Sequence, residues 1–501
     1  MIEYTTIGNN GVVALSSIPV LSYEDFLEFN TNLVKNEANH CVNYFGFMHK
    51  QKLKLICCIA KDTEASIALS SAEIPVDPAH AYPSFTACHL GFQLFERVLH
   101  ENFGMAFSDH PWLKPVRYPF DRANTSARTS GYPFYQINSE ELHEVGVGPI
   151  HAGIIEPGHF RFICNGEQIL HLEIQLGYQH RGLEQLLLTK KKLLQRTLLA
   201  ESIAGDTVAG HTTAFSNLWE TLCGYTPAAD VHFARTVAIE LERMAVHTGD
   251  LSGMCTDIGY QLGSAVFGRL RTPLINFFQE WCGNRLAKSL IRPGYNPYYF
   301  STALATRLEE VFEAYERDFD EMWKEFHTLP SVLARLEKTG VLDRNLAWSV
   351  GAVGMTARAS GLLRDIRSTH PHRLYSEFSP LSIVKHHGDV YSRAKLRHDE
   401  IVQSLYYLRK IIRKPPVEVN SRKSLPGLQP ESFAISLTEG WRGEICHCAV
   451  TDENGELIQY KIKDPSMHNW LAVAVAMRNN EISDFPISNK SFDLSYSGHD
   501  L

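Results

Sequence analysis

The sequence predicts an α+β protein: a small N-terminal α+β domain over residues 1–135, then a mainly α-helical bundle domain with peripheral β-hairpins over 136–501. Three observations carry this. Two stretches alternate apolar and polar residues about an Asn-Gly dipeptide, the signature of tight hairpins. Several longer stretches switch to the helical period. A turn-rich link, Asp121 to Tyr132, separates the first unit from the rest.

In order along the chain, the first unit reads as a helix near Tyr23 to Asn36, a strand pair around His40 to Ala60 and a long helix through His89 to Asn102. In the hairpin that follows, Phe160, Phe162 and Cys164 alternate and Asn165-Gly166 supplies the turn. Leu170, Leu172, Ile174 and Leu176 then alternate with His171, Glu173 and Gln175. Helical segments are expected near Leu183 to Leu222, Asp230 to Ser252, Thr306 to Lys338 and Asp389 to Arg413. The last of these places Val390, Ala394, Ile401, Leu405, Leu408 and Ile412 on one face. A second hairpin, Glu444 to Lys463 about Asn454-Gly455, a short helix from Asn469 to Met477 and an irregular tail close the chain.

At 501 residues and 44% apolar, the chain is long enough for properly buried cores. A net charge of −8 with no dominant basic cluster excludes a nucleic-acid surface. Met1 to Ser16 lack a basic region followed by an apolar core, and no apolar run is long enough to span a membrane. Leu346 to Leu363, interrupted by Arg358, reads as a buried helix. The expectation is a cytoplasmic-type protein with no direct membrane span. The ten cysteines include no Cys-x-x-Cys, and Cys446-His447-Cys448 lies in an alternating stretch where both thiols face the core. His370, His372 and His386-His387 read as a solvated face rather than a zinc site.

Seven motifs recur in a fixed order: Gly148-Pro149-Ile150-His151 with Glu156-Pro157, Gly177-Tyr178-Gln179-His180-Arg181-Gly182-Leu183-Glu184, Glu240-Leu241-Glu242-Arg243, Arg358 to Asp365, Gly388 to Arg393, Arg442-Gly443-Glu444, and Asp464 to Trp470. From Gly148 onward the chain thereby resembles the large subunit of nickel-iron hydrogenases of the energy-converting, membrane-bound kind, and the 49 kDa subunit of respiratory complex I. Phe95 to Pro111, with its Phe-Gly, Phe and His-Pro elements, resembles the signature of the complex I 30 kDa subunit. Fusion of the two in one chain is similar to the arrangement in formate hydrogenlyase large subunits.

Against that family, the four metal-binding cysteines are absent. In Ser202 to His211, Ala204 and Thr207 fall where the first pair belongs; in Phe492 to Gly498, Ser495 and Gly498 fall at the second. Soft metals need deprotonated sulfur, so the resemblance implies no nickel-iron centre and no hydrogen turnover. The chain stops at Leu501, close to where maturation leaves an active hydrogenase subunit, so no tail to remove is expected. The two handles that hold a quinone headgroup in complex I fall at Ile155 and near Gly205, which argues against a quinone site of that kind.

What the resemblance implies for a site is an emptied cavity walled by Ala204, Asp206, Thr207, His211, Ser495, Ser497 and His499. Glu156, Glu184 and Asp206 are the candidates for proton relay there; alternatively Arg181 and Glu184, three apart, tie the hairpin to the bundle. His151, His180 and Arg181 are expected to contact a 4Fe-4S cluster on an iron-sulfur small subunit similar to the complex I 20 kDa subunit. Membrane antiporter-like and anchor subunits complete the implied partners, placing the protein peripherally on the inner face of the cell membrane. The reading is a hydrogenase-like, NADH dehydrogenase-like oxidoreductase subunit without a nickel-iron centre, serving electron transfer or its coupling to ion transport. Two alternatives stay open: a quinone reductase subunit with Asp206 or His499 in a rearranged headgroup site, and a non-redox scaffold of the complex.

Overall fold

A five-stranded sheet anchors the first unit. Thr5–Ile7, Ser66–Ile74, Lys52–Lys61 and Asn39–His49 lie side by side and antiparallel, and Val20–Leu21 adds a short parallel strand. The computed structural model describes residues 3–77, 79–153, 155–378, 380–417 and 424–501. Strand Lys52–Lys61 carries the run Leu-Ile-Cys-Cys-Ile-Ala because both its faces are buried. On one face the helices Tyr23–Val34 and Gln93–Phe103 pack Phe26, Val34, Phe95 and Leu99 against Tyr44, Leu55 and Cys57. Ser22 Oγ caps the first helix by accepting the Asp25 N–H, and Gly104, at φ +70°, ends the second.

On the other face Val42, Phe45, Ile56 and Cys58 meet Phe433, Ile435, Cys446 and Cys448. These belong to a four-stranded sheet of Leu457–Lys463, Glu444–Thr451, Ser432–Glu439 and Gly11–Ala14. The last strand comes from the N-terminal unit, so one sheet contains both ends of the chain. Cys446 and Cys448 point the same way, as their spacing predicts, into the interface between the two sheets.

The hairpin His159–Asn165 and Gln168–Gln175 forms at Asn165-Gly166, but its register shifts between Ile163 and Cys164. That bulge moves Ile169 into the core and leaves Leu170 38% exposed, against simple alternation. Gln175 is buried too, donating to the Thr129 carbonyl.

The bundle is built on Ala229–Asp257, Gln261–Cys282, Thr302–Thr328 and Val390–Ile412. All six apolar residues expected on one face of the last are buried. Other expected helices are broken. Leu183 to Leu222 becomes Leu183–Thr189, Leu193–Ala200 and Val208–Leu222, interrupted at Lys190, which is extended, and across 201–207. Thr306 to Lys338 divides at Leu329, whose conformation the following Pro330 dictates. Leu346 to Leu363 gives two short helices, Arg344–Ser349 and Gly354–Ala359, separated by Gly351 at φ +70°. The tail is not irregular: Phe485–Phe492 and Tyr496–Asp500 are helical. Helix Pro465–Ala476 starts before its expected position, because Asp464 caps it and Pro465 opens it. His370 is buried rather than solvated, reaching the Ser66 carbonyl at 3.2 Å, while His386 and His387 are exposed as expected. Among the described residues no helix is long and apolar enough to cross a membrane.

Candidate functional site

Three polar cross-links join the segments that carry the substituted thiolate positions. Arg181, from the loop after strand Gln168–Gln175, donates to the carbonyls of Ser202, Ile203 and Ser497, so one guanidinium holds the segment before Ala204 against the segment after Ser495. Arg442, in the turn between Ser432–Glu439 and Glu444–Thr451, forks onto both oxygens of Asp206 at 2.7 Å, reaches Thr207 Oγ1 at 3.1 Å and donates to the Asp493 carbonyl. Asp464 accepts from His211 at 2.9 Å, and its carboxyl stands where any Cβ on Gly498 would be, at 2.7 Å.

The charges continue inward as an alternating chain. Arg442 lies 3.8 Å from the Asp493 carboxylate, Lys490 bridges Asp493 at 2.9 Å to Asp250 at 3.5 Å, and Arg397 meets Asp250 at 2.9 Å. Burial disfavours charge on the enclosed members of this chain, and the alternation of sign along it counters that cost. Burial opposes charge on Arg442, but Asp206 outweighs it and raises the guanidinium above its ordinary range. For Asp464, His211 and Arg442 together outweigh burial and hold the carboxyl at about 2. Asp250 goes the other way, raised by burial and by the neighbouring Asp493. A second line runs from His211 to His447 at 3.1 Å and on to the Tyr460 hydroxyl at 2.8 Å.

Of the residues expected in the cavity, Asp206, Thr207 and His211 take part directly in this network, and Ala204 is buried beside it. Ser495 caps the last helix through the Gly498 N–H, with Ser497 Oγ 3.3 Å away. His499 faces elsewhere: its Nδ1 meets Asp500 at 2.9 Å, and Asp500 in turn accepts from the Gly177 and Gln179 N–H groups at 2.8 Å. Burial lowers His499, leaving the ring neutral. Arg181 and Glu184 do not pair with each other. Glu184 accepts from buried Lys461 at 3.1 Å and from the Ile462 N–H at 2.9 Å, tying the helix Leu183–Thr189 to the edge strand. Glu156 is half-buried, within electrostatic reach of Arg181 and Tyr496. His151 hydrogen-bonds the Gly158 carbonyl at 2.8 Å and His180 the Asp500 carbonyl at 2.8 Å.

Alanine, threonine, serine and glycine offer a soft metal no thiolate, and the Asp464 carboxyl occupies the side-chain space at Gly498, so these residues do not fit a nickel-iron centre. Ile155 and Gly205 offer a quinone headgroup no polar side chain. Among the described residues no cluster of His, Cys, Asp and Glu is arranged to hold a metal. Sequence reasoning does not single out Arg442, Asp464, Asp493 or Glu242, although Arg442, Asp464 and Glu242 each stand in one of the seven motifs and Asp493 lies in the stretch Phe492 to Gly498. Glu242 accepts the N–H groups of Ala209 at 2.7 Å and Gly210 at 3.2 Å, completing the start of helix Val208–Leu222, and burial pushes its carboxyl up to about 8.

Two clefts flank the network. One, of about 790 Å³, is walled by Trp112, Tyr132, Ile174 and Trp470 and includes His499. The other, of about 1040 Å³, includes Arg117, Arg122, His180, Arg181 and Glu184.

The chain is similar to several known proteins. Hydrogenase-4 component G of Escherichia coli K12 is 26% identical over 389 residues, covering 77% of this chain and 67% of its own. Formate hydrogenlyase subunit 5 of the same organism is 27% identical, covering 72% and 63%, so this chain spans about two thirds of those relatives. The C/D subunit of NADH-quinone oxidoreductase from Phocaeicola vulgatus is 28% identical over 442 residues, 80% of this chain and 83% of that one. In fold, the chain is similar to one chain of the membrane-bound sulfane sulfur reductase, an archaeal respiratory membrane complex. The TM-score is 0.68 at 20% identity, covering 73% of this chain and 100% of that one. Residues 257–432 match the family model of the respiratory-chain NADH dehydrogenase 49 kDa subunit, and that stretch contains the Arg358 to Asp365 and Gly388 to Arg393 motifs. Residues 257–432 thus match the complex I 49 kDa subunit family, and over most of its length the chain is similar to hydrogenase-4, formate hydrogenlyase and NADH-quinone oxidoreductase subunits.

Proposed function

We propose that this chain is the large subunit of a membrane-associated, complex I-like oxidoreductase complex that has no nickel-iron centre and takes part in electron transfer or its coupling to ion transport. What supports the reading is that Ala204, Thr207, Ser495 and Gly498 stand where the resemblance implies four thiolates, and that Arg181, Arg442 and Asp464 cross-link the segments carrying them. A framework kept without its metal is still a rigid polar core beside partner surfaces. The relatives named above are subunits of multi-subunit membrane complexes, which supports partner subunits in general. The specific partners we infer are an iron-sulfur small subunit bearing a 4Fe-4S cluster, facing His151, His180 and Arg181, and antiporter-like and anchor subunits in the membrane. That arrangement puts the chain peripherally on the inner face of the cell membrane. Asp206 and the chain behind it, together with Glu184 and Glu156, are the residues we assign to proton movement.

Purification of the intact complex tests this. We expect the small subunit to co-purify, iron to be present and nickel to be absent. Stoichiometric nickel, or a chain that purifies alone as a stable monomer with no affinity for a co-expressed small subunit, overturns the proposal.

A second reading, quinone reduction at a rearranged site, has one observation in its favour. His499, oriented by Asp500, lines an aromatic-walled cleft of the size that takes a small organic ligand. Protection of His499 by a short-chain quinone analogue in a footprinting experiment would favour it over the scaffold alternative.

A further inference from the structure

The cleft of about 790 Å³ that includes His499 is walled by Trp112, Tyr132, Ile174, Trp470, Leu471 and Val475. One side of it is helix Pro465–Ala476, which sets Leu471, Ala474 and Val475 on a single stripe and ends just before Arg478. From Leu471 to Arg478 the chain rises by about 10 Å, room for a ligand of two fused rings with a polar head. Tyr132 and Trp470 are buried, but Trp112, Ile174, Leu471 and Val475 are only half-buried. An aromatic and aliphatic wall left half open, with a few polar groups at its rim, is how small-molecule sites are built.

The charges of the lining are unbalanced. Arg97, Lys114 and Arg478 face a single carboxylate, Glu173. Lys114 is answered by Glu173, whose other oxygen accepts the Tyr135 N–H at 2.7 Å. Arg97 donates to the Lys114 and Pro115 carbonyls at 2.8 Å and to Gln93 at 3.2 Å, so its hydrogen bonds are filled by neutral groups. The Arg478 side chain has no partner among the described residues. Its charge reaches across the cleft: burial lowers His171, and Arg478 and Lys114 lower it further against the pull of Glu173. Burial keeps His499 neutral as well, with Asp500 and Arg117 opposing each other beside it. The lining therefore carries an excess of positive charge, and among its described residues Arg478 is the cation free to answer a ligand.

We propose that this cleft is a binding site for a planar aromatic carboxylate, its rings against the tryptophan and tyrosine wall and its carboxylate on the Arg478 guanidinium. Aromatic walls favour a flat, rigid ring over a flexible chain, which would lose more conformational freedom on binding. A guanidinium fork matches the two oxygens of a carboxylate. A neutral quinone would fill the same walls but leave Arg478 unanswered. The inference stands apart from the large-subunit reading, since it needs the cleft and neither a cluster nor a partner.

Isothermal titration of the intact complex with 2-naphthoate, and with the neutral 2-naphthalenemethanol, tests this. We expect saturable naphthoate binding, about tenfold tighter than that of the alcohol. Arg478→Gln should weaken naphthoate by about tenfold and leave the alcohol unchanged, because only the charged head meets that side chain. Val475→Trp, which fills the cleft from the helix, should weaken both probes; Ile174→Trp, from the strand, serves if Val475→Trp fails to assemble. No saturation by about 5 mM naphthoate overturns the proposal. So does equal affinity for the two probes, which is the result a neutral ligand such as a quinone predicts, or naphthoate binding that neither Arg478→Gln nor the filling variants weaken.

Discussion

Arg442 holds both carboxylate oxygens of Asp206 while its guanidinium lies 3.9 Å from the centroid of the Trp441 ring, so a single side chain is fixed by charge on its edge and by an aromatic face on its plane. The two partners are unequally buried, Arg442 at 4% side-chain exposure and Asp206 at 36%. Arg442→Met leaves the carboxylates of Asp493 and Asp464 without their shared cation and should cost about 3 kcal/mol. Asp206→Asn leaves Arg442 its carbonyl and hydroxyl partners and should cost about 1 kcal/mol. Urea denaturation of the two variants measures the difference; equal losses would contradict the asymmetry.

Glu184 is expected to affect folding as well as any proton movement. Its partner Lys461 is 4% exposed and lies on the edge strand, with burial lowering its ammonium below the ordinary lysine range. Glu184→Gln keeps the hydrogen bond to the Ile462 N–H but strands the ammonium, for a cost of roughly 1–2 kcal/mol. Adding Lys461→Met should recover most of it. A fully stable Glu184→Gln protein with impaired turnover would instead assign Glu184 to proton movement alone.

Stability should depend on pH through Glu242. Its carboxyl is raised by burial from the ordinary 4.5 to about 8, so the folded state binds the proton more tightly than the unfolded state. The favourable contribution of the neutral acid is complete below pH 4.5 and is lost as pH rises through 8. Glu242→Gln should therefore match wild type at pH 5 and exceed it by about 1–3 kcal/mol at pH 9. Thermal melts at the two pH values suffice, and a variant equally destabilised at both would show that the carboxylate itself, capping helix Val208–Leu222, is what the fold needs.

Gly498→Cys should not move the chain toward a metal site. The new Cβ would meet Asp464 at 2.7 Å, and Asp464 cannot retreat without releasing His211 and the Ser466 N–H that it caps. A loss of about 2 kcal/mol with no gain in nickel content is expected, as for other overpacked buried sites. Calorimetry with metal analysis of the same sample reads both.

The pattern of the sequence makes the large elements legible, since period alone decides them: Val390, Ala394 and Ile401 could only belong to one face of a helix. It fails where local order depends on a distant partner. Leu170 and Ile169 are equally apolar, and only the shifted register against Ile163 and Cys164 decides which is buried. Strand Ser432–Glu439 has no turn dipeptide beside it to announce it, and its place is set by Gly11–Ala14 and Glu444–Thr451, which flank it on both sides. At the site, the substituted cysteine positions are visible by motif spacing, but Arg442, Asp464 and Asp493 become partners only when segments from different parts of the chain meet. His499, two residues from Ser497, is expected in the same cavity, but two helical residues turn it to the other side of the helix, where it meets Asp500.

The strand Gly11–Ala14 has a consequence for how this protein could be divided. Just before it, Asn9 exchanges two side-chain hydrogen bonds with the backbone of Leu437, 428 residues away, and the strand then closes the sheet to which Ser432–Glu439 belongs. A cut in the Asp121 to Tyr132 link would therefore not release two independent parts. The N-terminal fragment would expose an apolar sheet face and an unpaired edge, and the C-terminal fragment would expose the matching surface. Split genes for this arrangement would have to produce both polypeptides together, with the strand crossing from one to the other as a built-in adhesive.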